Sequence, residues 1–141
     1  MDFEVGFMWD VNSLLNESDV EQKFMYPLLS EPTPLGLGLP PSVIQSKANL
    51  KRFTIGKGAD QKSYFPDYVI VTHGYPLVVI EAKHPKESIS EGYRQARLYA
   101  VELNALWHPD FNPAKYIIAT NGVEIWYGYS DTQEPKGIAK C

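Results

Sequence analysis

The sequence predicts a single domain of the α/β class, in which helices cover both faces of a mixed β-sheet to give three layers. Three observations support this fold class: an amphipathic helical pattern over 17–30, two β-rich runs joined by a short turn over 67–83, and a second helical pattern over 87–106. With 141 residues, the chain is the size of one domain with one sizeable core. That core is expected to span about 16–129.

The first helix is predicted from about residue 17 to residue 30. Asn16 suits the N-cap position, and acidic residues fill the first turn. Val20, Phe24 and Leu28 recur at i, i+4 and i+8, which is typical of one buried helix face. This pattern therefore supplies one of the two helical layers.

The segment that follows the first helix is predicted to be mostly irregular. Residues 31–41 are too rich in proline and glycine for regular structure, so they are expected to form a loop. Residues 42–58 are expected to hold a short helical turn or a strand, and residues 52–55 alternate as a strand does.

The two β-rich runs before the second helix are predicted to pair as an antiparallel hairpin. A three-residue turn at 74–76 would pair Asp67 with Lys83 and Glu81 with Val69, and directly opposed residues share a face. A two-residue turn without a bulge would place Asp67 on the opposite face. Any site that uses all three charged side chains therefore requires a particular register.

The remaining elements follow from periodicity and turn chemistry. The second helix, over about 87–106, is expected to bury a stripe that comprises Ile89, Tyr93, Ala96, Ala100 and Leu103. Residues 115–120 and 123–129 flank Asn121-Gly122, the strongest short hairpin signal, and predict a second hairpin. Residues 130–141 show no periodicity and are expected to be a frayed tail or the stub of a longer chain.

Composition limits the classes of function. A formal net charge of −4 argues against a protein that coats nucleic acid by bulk electrostatics. The charge is unevenly distributed, because residues 1–31 carry seven acids and one lysine whereas residues 32–100 carry nine bases and five acids. The bases indicate either an ordinary solvated surface or a basic rim that guides a phosphate backbone. The bases just upstream and just downstream of residues 67–83 are Lys47, Lys51, Arg52, Lys57, Lys62, Lys86, Arg94 and Arg97.

Cellular setting and metal chemistry are also constrained. No apolar run approaches the roughly 20 residues of a membrane span, and the N-terminus resembles neither a signal nor a transit peptide. A cytoplasmic setting without a membrane partner is therefore expected.

Cys141 is the single cysteine, so an internal disulfide or thiolate cluster is impossible. Any metal must be bound through oxygen or imidazole.

Pro66-Asp67 and Glu81-Ala82-Lys83, at the end of an apolar run, form the candidate catalytic site. Asp67 and Glu81 can hold a hard divalent cation, for which Mg²⁺ is expected and Mn²⁺ is an expected substitute. The backbone carbonyl of Ala82 is a further candidate ligand. Lys83 can orient or activate a water beside a scissile phosphate. The alternative is that Glu81 and Lys83 form an exposed pair of little consequence.

These motifs resemble those of the PD-(D/E)XK nuclease superfamily. Gln95 and Tyr99 match a Gln-x-x-x-Tyr motif that follows the lysine strand in members attached to helicases. The resemblance implies that both side chains contact DNA or a metal-bound water, and their i, i+4 spacing places them on one helix face. The alternative is that they only flank the buried stripe.

The opening helix and the Thr120-Asn121-Gly122 turn are similar to the N-terminal nuclease domain of the R subunits of type I restriction-modification enzymes, over about 16–128. The resemblance implies a restriction-endonuclease-like fold and a Mg²⁺-dependent DNA endonuclease. It assigns the family's helix glutamate, a metal ligand, to Glu17, with Glu21 as a competitor. Both acids could instead complement the helix dipole.

The resemblance further implies partners: DNA, a helicase or translocase motor, and other restriction-system subunits. No G-x-x-x-x-G-K-[ST] is present, so the chain is expected to be a fragment of a larger subunit or a stand-alone relative. Lys62 and Arg94 are expected to contact DNA or to support the site. Two other functions stay open: a non-catalytic module that binds DNA or a subunit, and a stand-alone junction or repair nuclease that acts as a dimer.

Histidine and tryptophan add weaker candidates. His84 and His108 could bind a metal, but neither H-x-x-x-H nor H-E-x-x-H spacing occurs, so loop roles are expected. Trp9, Trp107 and Trp126 are expected to be core or domain-edge aromatics rather than platforms for stacking bases.

Overall fold

The computed structural model describes residues 13–46, 66–107 and 110–140. Within these ranges, six strands form one mixed sheet in the order β1-β2-β3-β4-β5-β6. β3 and β4 are parallel, and the other neighbouring strands are antiparallel. The strands are β1 (Ile44–Ser46), β2 (Tyr68–Thr72), β3 (Tyr75–Ala82), β4 (Tyr116–Thr120), β5 (Glu124–Tyr129) and β6 (Gly137–Lys140).

An N-terminal helical segment covers the predicted 17–30 and has three consecutive parts. These are α1 (Glu17–Asp19), a π-helical stretch (Val20–Met25) and α2 (Tyr26–Ser30). The predicted N-cap is confirmed, because Asn16 Oδ1 accepts a hydrogen bond of 2.8 Å from the Asp19 N–H. The predicted apolar face is also buried at Val20, Phe24 and Leu28.

The connection after this segment is a loop, as predicted, followed by a short 3₁₀ helix (Pro41–Val43) that leads directly into β1. β1 lies at the sheet edge, where Gln45 pairs with Val69 of β2. The strand-like alternation over 52–55 lies outside the described residues.

Helix α3 (Ile89–Asn104) connects β3 to β4, which makes these two strands parallel. It is two residues shorter at each end than predicted. All five predicted core residues are buried, together with Gly92, Tyr99 and Asn104. In the described ranges, no helix combines the length and the apolar character that a bilayer crossing requires.

The two faces of the sheet carry separate apolar clusters in the described part of the chain. On one face, α3 packs on Val69, Val79 and Ile117. On the other, the N-terminal helical segment packs on Ile70 and Ile80. Because successive side chains of a strand point to opposite faces, one strand supplies both clusters. The predicted α/β class with three layers is therefore correct.

The β2–β3 hairpin differs in register from the prediction. Its turn has two residues, with Thr72 paired to Tyr75, and a β-bulge follows, so that Ile70 pairs with Val78. The predicted pairings of Asp67 with Lys83 and of Glu81 with Val69 are wrong by two positions. Val69 pairs with Val79, and continuing this register places Asp67 opposite Glu81. The bulge moves the pairing by one residue, which still brings the carboxylates to one face.

The second hairpin is confirmed, and β6 is an addition to it. Asn121 Oδ1 accepts from the N–H groups of Val123 and Glu124, each at 3.0 Å, and Gly122 has a φ of 84°. Residues 130–141 are expected to be a frayed tail or the stub of a longer chain, and the first of these alternatives is wrong for 137–140. These residues pair with β5, and Ala139 is buried opposite Ile125.

Candidate metal centre

Three carboxylates meet at one end of the sheet: those of Glu17, Asp67 and Glu81. One oxygen of each lies within 4.8 Å of an oxygen of the other two. Asp67 and Glu81 are 2% and 1% exposed, and Glu17 is half-buried. The three residues belong to separate parts of the chain: the start of α1, the residue before β2, and the end of β3. The fold therefore assembles this cluster across the molecule.

Backbone geometry orients Asp67. The N–H of Ala82 donates a hydrogen bond of 2.7 Å to Asp67 Oδ2 across the open end of the hairpin. The neighbouring Lys83 N–H instead donates to the Thr120 carbonyl at 2.8 Å, on the β4 side. The Ala82 N–H therefore holds the Asp67 carboxylate, whereas the next N–H along the chain, that of Lys83, bonds to β4.

The chemistry of these donors fits a hard divalent cation. Mg²⁺ and Ca²⁺ prefer oxygen ligands, and carboxylates are their commonest charged ligands in proteins. Three negative groups so close together, two of them almost completely buried, repel one another and are costly to remove from water. A bound cation would compensate both costs.

Glu21, the competitor of Glu17, is not a member of the carboxylate cluster among the described residues. It lies one turn further along, in the π-helical stretch, and its backbone carbonyl accepts from the Tyr68 hydroxyl at 3.3 Å. The family resemblance assigns the helix glutamate to Glu17 with Glu21 as a competitor, and the geometry favours Glu17.

Lys83 follows β3 directly and is half-buried. Alternation along the strand puts it on the face of Glu81, which is the face that α3 covers. Its stem lies over Gly92, where an added Cβ would be 2.8 Å from Lys83 Cγ. Gly92 was not recognised from the sequence as part of the site. A glycine inside a helical pattern is costly, and that was the available signal.

Tyr99 and Gln95 lie on α3, one turn apart. Tyr99 is 4% exposed and packs in the cluster beneath the helix. Burial raises the pKa of the Tyr99 phenol, and the negative charges of Glu102 and Glu81 raise that pKa further. The phenol is therefore within electrostatic range of the carboxylate cluster. Gln95 is half-buried.

The candidate DNA-contacting bases are only partly described. Arg94 is exposed on α3 and forms a salt bridge of 2.6 Å with Glu91. This hydrogen-bonded pair lowers the pKa of Glu91 and raises the pKa of Arg94. Lys62 lies outside the described residues, as do Lys47, Lys51, Arg52 and Lys57.

The remaining candidates have loop or packing contacts. His84 forms hydrogen bonds with backbone atoms of Lys86 and Leu15, and it is not in the carboxylate cluster. Trp126 packs against the core beneath α3. The centroid of the Trp107 ring lies 6.1 Å from the centroid of the Tyr75 ring. Trp9 and His108 lie outside the described residues.

The chain matches a known protein family over most of its length. The family described as "Type I restriction enzyme R protein N terminus" matches residues 49–136, which is more than half of the chain. The chain belongs to this family. Membership in the R protein N-terminal family implies a nuclease-related role in a restriction system. The match includes Asp67, Glu81 and Lys83. Comparisons with curated proteins and with solved structures found no match.

Proposed function

We propose that this chain is a Mg²⁺-dependent DNA endonuclease domain of the PD-(D/E)XK type, and that it serves as the cleavage module of a type I restriction enzyme. The observation that carries the proposal is the convergence of Glu17, Asp67 and Glu81 within 4.8 Å, at the strand end that bears Lys83. Membership in the R protein N-terminal family supports the same reading.

Asp67 and Glu81 are the principal ligands in this proposal, and Glu17 is a third. The Ala82 N–H points toward Asp67, and in an extended strand the carbonyl of the same residue points to the same side. The Ala82 carbonyl is therefore on the correct side of β3 to be a further ligand. When bound, Mg²⁺ supplies a water of lowered pKa and stabilises charge that develops on the phosphoryl oxygens.

Lys83 is assigned to the reacting water or to the scissile phosphate. It shares a face with Glu81, and the close packing on Gly92 restricts where its stem can lie. A lysine held in this way can orient the water and offset negative charge on the phosphate without competing for the metal. Removing its ammonium group should lower the cleavage rate more than the affinity for metal.

DNA is the proposed substrate, and α3 is the proposed approach surface beside the metal ligands. Gln95, which is half-buried on α3, is assigned to the DNA or to water on the metal. Tyr99 is buried beneath the same helix, so it is assigned a supporting role beside Glu81 and not a contact with DNA. Arg94 and Lys62 are assigned to the phosphate backbone. The proposed partners are a helicase or translocase motor and other restriction subunits. They would deliver the DNA and determine which sequences are cut. The isolated domain should therefore cut slowly and without sequence preference.

A plasmid-nicking assay with Mg²⁺ tests the proposal. Wild type, Asp67→Ala and Lys83→Ala are compared with Lys115→Ala, which removes an exposed lysine that precedes β4 at the other end of the sheet. The proposal expects nicking by wild type and Lys115→Ala, and a loss of 100-fold or more, on the order of a catalytic group's contribution, in the two site variants. Equal cutting by all four folded proteins would show that the site assignment is wrong.

A further inference from the structure

His84 connects two of the three chain segments that carry the metal-ligand candidates, the end of β3 with Glu81 and the start of α1 with Glu17. It follows Lys83 directly, and its Nε2 lies 3.0 Å from the carbonyl oxygen of Leu15, two residues before Glu17. These residues are 69 positions apart in the chain. The histidine therefore fixes the distance between the end of β3 and the start of α1.

The hydrogen bonds define which ring nitrogen carries the proton. The Lys86 N–H donates to His84 Nδ1 at 3.0 Å, so Nδ1 is an acceptor. In a neutral imidazole the other nitrogen is then the donor, and Nε2–H donates to the Leu15 carbonyl. The two contacts need different atoms and can be removed separately.

Leu15 is held through both of its backbone polar groups. Its N–H donates to Asp19 Oδ2 at 2.9 Å, and its carbonyl accepts from His84. Asp19 in turn donates its own N–H to Asn16, which caps the helix. A shift at Leu15 would therefore move the first turn of α1, and Glu17 would move with it.

We propose that His84 is a positioning residue for Glu17: its Nε2–H···O contact with Leu15 places the Glu17 carboxylate beside Asp67 and Glu81. This inference rests on the proposed metal site. His84 itself contacts neither metal nor substrate. Residues that orient ligands in this way typically change metal affinity by about 10–100-fold when they are replaced.

Two near-isosteric substitutions separate the contacts. In His84→Gln, the amide nitrogen can occupy the position of Nε2 and donate to Leu15. In His84→Asn, the amide oxygen can occupy the position of Nδ1 and accept from Lys86, but the Leu15 contact is lost. Mn²⁺ affinity is measured by calorimetry for wild type, both variants, Glu17→Gln and the double variant Glu17→Gln/His84→Asn, with Asp67→Ala as the control for the site itself.

The expected result is a loss of about tenfold in Mn²⁺ affinity for His84→Asn and a change of less than about threefold for His84→Gln. In the Glu17→Gln background, His84→Asn should have no further effect, because its action passes through Glu17. Wild-type affinity in His84→Asn, or an equal loss in both backgrounds, would overturn the proposal.

Circular dichroism establishes which variants are folded. If His84→Asn does not fold, His84→Gln decides: a tenfold loss of affinity in the folded glutamine variant overturns the proposal, and near wild-type affinity supports it. If Asp67→Ala binds Mn²⁺ as tightly as wild type, the metal site itself is wrong. Loss of binding in Asp67→Ala with no effect of His84→Asn contradicts the role of His84 alone.

Discussion

Lys83 and Gly92 are packed so closely that any side chain at position 92 would require the Lys83 side chain to shift. A Cβ there would lie 2.8 Å from Lys83 Cγ and 3.4 Å from Cε. Glycine in a helix interior is less favourable than alanine by about 1 kcal/mol. The contact explains why α3 nevertheless has a glycine at the point where it crosses the end of β3.

Gly92→Ala should therefore separate stability from activity. The alanine improves helix propensity, so we expect a melting temperature equal to or above that of wild type. The Lys83 stem must move, and nicking should fall by about tenfold or more, because small displacements of catalytic groups are costly. Val101→Ala, at an exposed position of the same helix, is the control and should retain activity. Full activity in Gly92→Ala would contradict the assigned position of Lys83.

Glu81→Gln should stabilise the metal-free protein. It removes one of three neighbouring carboxylate charges at a position that is 1% exposed. In EDTA we expect a gain of about 1 kcal/mol, or roughly 3 °C in melting temperature. Wild type should be stabilised by added Mg²⁺ through mass action, and Glu81→Gln should lose most of that effect. Asp131→Asn, at an exposed position, serves as the control. Equal stabilisation of wild type and Glu81→Gln by Mg²⁺ would argue against Glu81 as a ligand.

Tyr99 should make the fold sensitive to alkali. Burial raises the pKa of its phenol in the folded state, above the value near 10 of an unfolded chain. Its contribution to the free energy of unfolding is therefore complete below about pH 10 and is lost as the pH rises through the folded pKa. Urea titrations between about pH 9 and pH 11 should show a shallower loss of stability in Tyr99→Phe than in wild type. Tyr116→Phe, which alters an exposed phenol, should follow the wild-type slope.

The β2–β3 turn offers a prediction that concerns stability alone. His73 and Gly74 both have positive φ, 54° and 83°, as a type I′ turn requires. Asparagine tolerates this backbone region better than histidine does, so His73→Asn should add about 0.5 kcal/mol to the free energy of unfolding. Gly74→Ala should remove about 1–2 kcal/mol, although nothing lies within 4 Å of the added Cβ. Denaturant titrations measure both changes, and a destabilised His73→Asn would contradict the turn assignment.

Local chemistry accounts for the parts of the fold that were predictable. Asn16 caps its helix and Asn121-Gly122 closes its hairpin through hydrogen bonds between near neighbours, so the sequence signals both directly. Register and edge pairing depend on other strands. The bulge after Ile70 depends on how two strands twist together, and the short β6 is ordered by pairing with β5.

The candidate site was predictable to a similar extent. The spacing of Asp67, Glu81 and Lys83 indicated a metal-dependent site because strand alternation is a local rule. The choice between Glu17 and Glu21 was not accessible, since it depends on where a helix docks on a distant sheet end. The contact between His84 and Leu15 was hidden for the same reason.

The most direct test of the metal centre is a crystal of this protein soaked in Mn²⁺, with anomalous diffraction data collected near the manganese absorption edge. We predict an anomalous peak about 2.0–2.3 Å from carboxylate oxygens of both Asp67 and Glu81, with Glu17 bound directly or through a water. The peak should be absent from Asp67→Ala crystals soaked in the same way. A fully soaked wild-type crystal with no peak between Asp67 and Glu81 would contradict the metal centre.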